Sequence, residues 1–246
     1  MELSVRLKTI ADMVTTGNRV ADVGCDHGFV SIYLYEKGIA PRVYAMDLRE
    51  DPLQRAREHI AEKGYEAYIE TRLSDGVEAL GEGEAEALVC AGMGGRLIAA
   101  ILNEGMEKVR GMKELILGPQ SELAFLREYL RKNHFQIIQE EMVKEEGKYY
   151  PIIKATFGAE ELCKTGIAMK DRNGQEIPEE LRQKLEDAYG PLLIRNAHPI
   201  LKDFLENRYG LNESILGGLT GEKAAGRRAE LLEEQEGIRI CLHTMA

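Results

Sequence analysis

Leu3, Leu7, Ile10 and Val14 recur at helical spacing, and the turn pair Gly17-Asn18 ends that segment. The pattern then shortens. Arg19 to Gly24 is a short apolar strand opening into a loop, and about Val30 to Lys37 is predicted helical, stopped by Gly38. Arg42 to Met46 is a second strand ending in Asp47. Asp51-Pro52 reads as a helix start, a capping carboxylate with proline at the first helical position, and that helix runs to about Lys63 with Gly64 ending it. The alternation continues with a strand at Ala67–Leu73 before Asp75-Gly76, and another at Ala87–Ala91 before Gly92-Met93-Gly94-Gly95. A helix from about Arg96 to Asn103, a strand at Glu114–Leu117 and a helix at Glu122–Lys132 follow. Two strand-like runs, Phe135–Val143 and Tyr149–Phe157, are joined by a Glu-Glu-Gly-Lys turn. Strands alternating with helices predict βαβ units and a doubly wound parallel sheet, to which the last hairpin is expected to add antiparallel edge strands.

After Gly158 the strand signal stops. Gly174 and Pro178 sit in a polar, linker-like stretch, and helical periodicity resumes through Leu181, Leu185 and Ala188, then Ile200, Leu201, Phe204 and Leu205. Leu211, Ile215, Leu216 and Leu219 carry it to a last charged helix around Leu231 and Leu232. Two domains are therefore expected, 1–158 (α/β) and 159–246 (α-helical), the latter a small helical appendage whose heptads are too interrupted for a regular coiled coil.

Composition narrows the class. With 44% hydrophobic and 30% charged residues the chain is an ordinary globular one, and no run approaches the roughly 20 apolar residues of a membrane span. Cys25, Cys90, Cys163 and Cys241 are far apart, fitting neither a zinc cluster nor a disulfide framework, so no metal is expected and a reduced, cytoplasmic setting is. There are 20 basic against 26 acidic residues up to Gly158 and 12 against 16 beyond it, which speaks against a generic nucleic-acid coat protein. An RNA partner would need a local patch. Arg195, Lys202, Arg208, Lys223, Arg227 and Arg228 are candidates, although four acids between 191 and 228 leave only a slight excess, and a solvated helical face explains them equally well.

Ligands of doubly wound sheets bind beyond the carboxyl ends of the strands. Here each such loop carries glycine, acid or both: Asp22 to Gly28, Asp47, Asp75-Gly76, Ala91 to Gly95 and Gly118-Pro119-Gln120. Gly24 and Gly28 allow close backbone approach, but Asp26 stands where the dinucleotide fingerprint needs glycine, and its carboxylate would repel a pyrophosphate. A cationic or amino group suits Asp22 and Asp26. Asp47, with Leu48 beside it, is placed to accept from both ribose hydroxyls, and Asp75 from an exocyclic adenine amine while Gly76 keeps the pocket narrow. A ribose, an adenine, a charged amino-acid end and no diphosphate describe S-adenosylmethionine. For several of these residues a plainer role stays open: Asp22 tying down loop amides, His27 capping the next helix, Met93 packing the loop, Tyr149 and Tyr150 serving as strand residues, and Cys25 and Cys90 as small buried ones.

The order Asp-Val-Gly-x-Asp-x-Gly (Asp22 to Gly28), an acidic end to the second strand and Asp-Gly after the third resemble class I methyltransferases. More closely, the chain resembles the bacterial tRNA adenine-N1 methyltransferases of the TrmK family. The resemblance rests on Ser4 to Ala11, Asp22 to Gly28, Ala91 to Gly95, Leu115 to Gln120 and Tyr149 to Ile153, and extends to Gly190–Leu193 and His198–Leu201. Cys25, where threonine is expected, and Gly28 to Ser31 depart from the family pattern. The resemblance implies a Rossmann-like methyltransferase sheet with a C-terminal helical, tRNA-binding domain, S-adenosylmethionine as cofactor, and methylation of ring nitrogen 1 of adenosine 22 in tRNA, with neither membrane nor DNA as partner. Asp26 is the expected catalytic group, with His27 as alternative or orienting partner. Asp22, Gly24, Asp26, Gly28, Asp47, Leu48, Asp75, Gly76, Ala91 and Gly92 are expected to hold the cofactor. Phe29, Met93, Gly94, Tyr149, Arg195, Lys202 and Arg227 are expected on the substrate. A small-molecule or protein methyltransferase of the same fold is the alternative, slightly favoured by the acidic net charge, and a non-catalytic binding module is opposed by the full set of loop acids.

Overall fold

Apolar strands with no polar face need cover on both sides, and the computed structural model, which describes residues 3–158, 168–220 and 224–246, supplies it. The chain divides into two compact units, Met1–Leu162 and Cys163–Ala246. The expected boundary after Gly158, Cys163 and Lys223 fall at or within segments outside the described residues.

In the first unit seven strands form one sheet in the order β3-β2-β1-β4-β5-β7-β6. Strands β1 (Val20–Val23), β2 (Val43–Asp47), β3 (Ile69–Leu73), β4 (Ala87–Ala91) and β5 (Glu114–Gly118) are parallel. Their register pairs Val23 with Met46 and Cys90, Asp47 with Leu73, and Ala91 with Gly118, so five carboxyl ends reach one rim. The strand order reverses between β1 and β4, which opens a crevice there. Alternate strand residues feed two cores. Ala21, Val23, Met46, Leu88 and Cys90 pack with helices α4 (Gly95–Glu104) and α6 (Leu123–Lys132); Val20, Val43, Ala45 and Val89 pack with α1 (Val5–Asp12), α2 (Phe29–Glu36) and α3 (Glu50–Lys63).

Two local expectations are corrected, and one short helix is added. Helix α3 starts at Glu50 with Arg49 as its cap, because the Asp47 carboxylate accepts from the Arg49 N–H (3.0 Å) and sets the entry; Pro52 sits at the third position, where a missing N–H is harmless. A short helix α5 (Met106–Val109) follows Gly105, which is packed so closely that a Cβ there would lie 2.1 Å from Val77 Cγ2. The hairpin of β6 (Phe135–Glu145) and β7 (Lys148–Phe157) turns on Glu146 and Gly147, both at positive φ, but β7 inserts between β5 and β6. Only β7 runs antiparallel to the rest, and of the hairpin only β6 is an edge strand, opposite β3 at the other edge.

In the second unit a small turn is closed by Asp171 Oδ1, which accepts from the backbone N–H groups of Asn173 and Gln175 (2.9 Å each). Helices α7 (Glu179–Tyr189), α8 (Pro191–Arg195), α9 (Pro199–Gly218) and α10 (Ala225–Thr244) follow. Helices α9 and α10 pair through Leu201, Leu205, Leu231 and Ile238 and through Glu234, which accepts from Arg208 Nε (2.7 Å) and Asn212 Nδ2 (3.0 Å). Leu211, Ile215 and Leu232, read from spacing as part of the apolar stripe, are exposed instead.

Beneath the rim, Glu114 at the start of β5 gathers the chain. Its carboxylate accepts from Thr15 N (2.8 Å), Thr15 Oγ1 (2.6 Å) and Asn18 Nδ2 (3.0 Å), and pairs with Lys154 Nζ (2.7 Å). Lys154 in turn donates to the Met13 carbonyl (2.8 Å). Burial by itself would raise the Glu114 carboxyl, but the Lys154 ammonium and the Thr15 and Asn18 donors outweigh it and hold it below its ordinary 4.5. A carboxyl lowered on folding contributes stability above its unfolded pKa that is lost as pH falls through the folded one. Glu114→Gln is therefore expected to cost about 3–5 kcal/mol in urea unfolding at pH 7 by leaving Lys154 buried and unpaired, and the gap to wild type should narrow below pH 4.5. A gap independent of pH would show that the charge contributes nothing.

Candidate active site

The site begins where β1 ends. Gly24 and Gly28 both have φ +74°, and Asp26 between them is also left-handed at φ +49°. The Gly24 and Cys25 N–H groups both donate to the Met46 carbonyl (2.8 and 3.0 Å), and the Asp26 N–H to Asp47 Oδ2 (3.2 Å). The first loop is thus strapped to the end of β2. A Cβ on Gly24 would come 2.8 Å from Met93 Cε, the far end of a side chain that can turn aside, so the positive φ is what calls for glycine there.

Asp22 is 3% exposed and accepts from Ser31 Oγ (2.6 Å), so a hydroxyl on α2 rather than the loop amides ties it down. Burial pushes its carboxyl up to about 6, the Ser31 donors oppose that, and the neighbouring Asp47 charge adds to it. The Cys25 and Cys90 thiols are pushed well above their ordinary range, chiefly by burial, and are small buried residues. His27 does not cap α2: Gly28 holds the cap position and no side chain bonds there. The His27 ring instead stacks on Phe29 (centroids 5.3 Å apart, planes 15° apart), and Phe29 stacks on His59 (5.1 Å). Asp26 is exposed, with Oδ1 3.6 Å from His27 Nε2.

A cavity of about 580 Å³ lies over the five strand ends. Of the expected cofactor set, Asp22, Gly24, Asp26, Asp47, Leu48, Asp75, Gly76, Ala91 and Gly92 line it, with His27, Phe29 and Met93 beside them. Leu48 is 62% exposed, an apolar surface turned out at the rim. Gly28 is not in the lining; a Cβ there would meet Ala56 at 3.1 Å, so it serves the packing of α2 on α3. Gly94 caps α4 against Ser121 and Glu122. Tyr149 is also outside the lining, beside Lys144 on the hairpin, whereas its neighbour Tyr150 carries the Arg6 guanidinium 5.0 Å above its ring. Arg195, Lys202 and Arg227 belong to the second unit, where Arg227 pairs with Glu230 (2.9 Å) and Lys202 is exposed.

Arg6, Leu7, Arg49, Ser74, Leu97 and Ile101 also line the cavity and were not anticipated, and Gln120 joins them from the rim loop that the strand pattern marked. Arg6 and Gln120 stand inside motifs that carried the family resemblance, but nothing in linear spacing indicates that α1 and the loop after β5 meet there. Ser74 holds the third loop in shape, donating to the Gly76 carbonyl (3.0 Å) and accepting from Ala79 N (3.0 Å).

Comparison with known proteins agrees with this geometry. Residues 3–153 match the methyltransferase domain family. The tRNA (adenine(22)-N(1))-methyltransferase of Bacillus subtilis (strain 168) is 34% identical over 169 residues, covering 69% of this chain and 71% of that protein. Among solved structures, the B. subtilis m1A22 tRNA methyltransferase TrmK superposes with TM-score 0.81 at 27% identity, covering 98% of this chain and 99% of that one. A Streptococcus pneumoniae protein in complex with S-adenosyl-L-methionine superposes with TM-score 0.81 at 29% identity, covering 98% of this chain and 100% of that one. The seven-stranded sheet, the acid-bearing rim and these matches together show that the chain belongs to the tRNA (adenine(22)-N(1))-methyltransferase family.

Proposed function

We infer that this chain transfers the methyl group of S-adenosyl-L-methionine to ring nitrogen 1 of adenosine 22 in tRNA. The observation that carries this is the cavity at the strand ends, into which the β1, β2 and β3 loops bring Asp22, Asp26, Asp47 and Asp75 with no glycine-rich diphosphate cradle. It supports the cofactor assignment in three ways. Its volume, about 580 Å³, is in the range of small-molecule sites. Gly24 presents backbone with no side chain to the cavity where the first loop turns at positive φ. Asp47 spends only one bond per carboxylate oxygen on the backbone, leaving lone pairs for two hydroxyls.

When bound, S-adenosylmethionine supplies an activated methyl group on a cationic sulfur. In this reading Asp47 holds the ribose, Leu48 packs on the adenine, and Asp75 accepts from its exocyclic amine above Gly76. Asp22 and Asp26 face the ammonium end, with Gly24, Ala91 and Gly92 as the close backbone walls. The target adenine nitrogen has its own lone pair, so no enzyme nucleophile is required and alignment can supply roughly 7–11 kcal/mol. Asp26 stabilises the cationic product base or takes its exocyclic proton, with His27 orienting it. Phe29, whose ring clusters with those of His27 and His59, lines the cavity beside Met93 and is the platform for a base extruded from the tRNA arm. Arg195, Lys202 and Arg227 on the second unit grip the tRNA backbone, which makes 159–246 the tRNA-binding part. The partner is RNA and not DNA, and the setting is the cytoplasm; among the described residues no helix is long and apolar enough to cross a membrane.

Labelled methyl transfer to unmodified tRNA transcripts, followed by nucleoside mass spectrometry, is expected to yield 1-methyladenosine that disappears when adenosine 22 is replaced. Cofactor binding without any tRNA product would hand the function to a small-molecule or protein substrate. Asp47→Ala should raise the cofactor Kd about 10-fold or more. Asp26→Ala should instead slow single-turnover methylation roughly 10²-fold or more while tRNA affinity hardly moves; equal losses in both would make Asp26 a holding group. Reversing Arg195, Lys202 and Arg227 to glutamate should weaken tRNA binding and flatten its salt dependence without changing cofactor affinity, and an unchanged salt slope would refute the grip.

A further inference from the structure

The loop that carries Asp26 and His27 is held on one side by β2, through Met46 and Asp47, and on the other by α3. On the α3 side Gly28 is seated against Ala56 and Ile60, whose side chains would stand 3.1 and 3.8 Å from a Cβ placed on it. His59, between those two in the same helix, faces the loop: its Nδ1 is 3.0 Å from the His27 carbonyl oxygen. A carbonyl only accepts, so the ring proton sits on Nδ1. The hydrogen-bond ladder of α2 begins one residue later, where the Gly28 carbonyl takes the Ile32 N–H (2.9 Å), and His59 thus supplies a donor that the helix does not. Asp26 is left-handed at φ +49°, a conformation that a residue with a side chain keeps only where its surroundings hold it. Its N–H is fixed by Asp47 (3.2 Å), and the carbonyl of the next residue by His59.

The His59 ring has a second contact. It lies 5.1 Å from the Phe29 ring (planes 26° apart) and 6.0 Å from that of His27 (27°), completing a triangle of near-parallel rings. His27 and Phe29 line the cavity, whereas His59 does not, so it acts on a bound substrate only through them. We propose that His59 is a positioning residue for methyl transfer: its Nδ1–H fixes the Asp26–His27 segment at the reacting base, and its ring holds Phe29 as the platform for the extruded adenine. The ribose and adenine acceptors of the cofactor, Asp47 and Asp75, stand at the ends of β2 and β3 and make no contact with His59. One side chain therefore serves two separable ends, the donor the rate of transfer and the ring the affinity for tRNA.

The inference rests on the tRNA methylation reading, and three variants of the full chain test it by single-turnover methylation with tRNA varied at saturating S-adenosylmethionine. His59→Ala removes ring and donor together. It should lower the rate at saturating tRNA about 10-fold and raise the half-saturating tRNA concentration about 3–10-fold. His59→Asn puts an amide nitrogen where Nδ1 stands, and should restore the rate but not the half-saturating concentration. His59→Phe keeps the ring and loses the donor, and should show the opposite split. The cofactor Kd, read by calorimetry, should stay at its wild-type value in all three. A merely structural role would instead move rate, tRNA dependence and cofactor affinity together with no rescue by either variant, and that result overturns the proposal. So do wild-type kinetics in His59→Ala, or a nitrogen-15 spectrum of the labelled histidines that puts the His59 proton on Nε2. Wild-type protein that binds the cofactor but forms no 1-methyladenosine in tRNA overturns the functional reading, and the proposal with it.

Discussion

The site depends on one attachment, the first loop strapped onto the end of β2. The Met46 carbonyl accepts from two successive backbone amides, at Gly24 and Cys25, and the next side chain along, Asp47, accepts from Asp26. That sequence of bonds turns the chain through two left-handed glycines with a left-handed aspartate between them before α2 begins. The same Asp47 carboxylate takes the Arg49 amide and sets the start of α3. One buried side chain thus orders two loops and one helix entry. Because its two oxygens are only partly satisfied by backbone, it keeps capacity for a ligand.

This economy has an electrostatic consequence. Burial pushes the Asp22 carboxyl up to about 6 against the Ser31 donors, and the nearby Asp47 charge adds to it. The cavity lining is polarised, with acids at the β1–β3 ends and the Arg6 guanidinium toward β4 and β5. A zwitterionic ligand matches such a field, whereas a diphosphate does not. The buried pairs elsewhere play a different part. Glu114 with Lys154, and Arg127 with Glu140 (2.8 Å), are shielded from solvent and lie away from the cavity lining. Their donors and acceptors tie α1 and α6 to the β5–β7–β6 side of the sheet, so that α1 can present Arg6 in a defined place.

Much was legible in linear order. Short strands that are almost wholly apolar, such as Val43–Asp47 and Ala87–Ala91, can be buried only between two helical layers, so the parallel sheet follows from pattern. Gly64 ends α3 in the left-handed conformation that its position after Lys63 predicted. The acids at successive strand ends were readable because a parallel sheet puts all such ends on one rim. Where prediction failed, a distant group had decided. Asp47, not Asp51, sets the start of α3; β7 pairs with β5 because Leu115 to Leu117 still lacked a partner on that side; and Gly28 and Gly94 serve helix packing.

By itself the sequence determined the alternation of elements, the rim and the acids upon it, since those depend on local period and on the direction a strand runs. Tertiary structure alone decided that Tyr150 and not Tyr149 lies under Arg6, because adjacent strand residues point to opposite faces and only the packing of α1 selects one. It also decided that Arg6, Gln120 and Gly92, separated by more than a hundred residues from first to last, meet at one point. No spacing rule encodes such a meeting, for it arises where three elements of unrelated sequence are pressed against the same strand end.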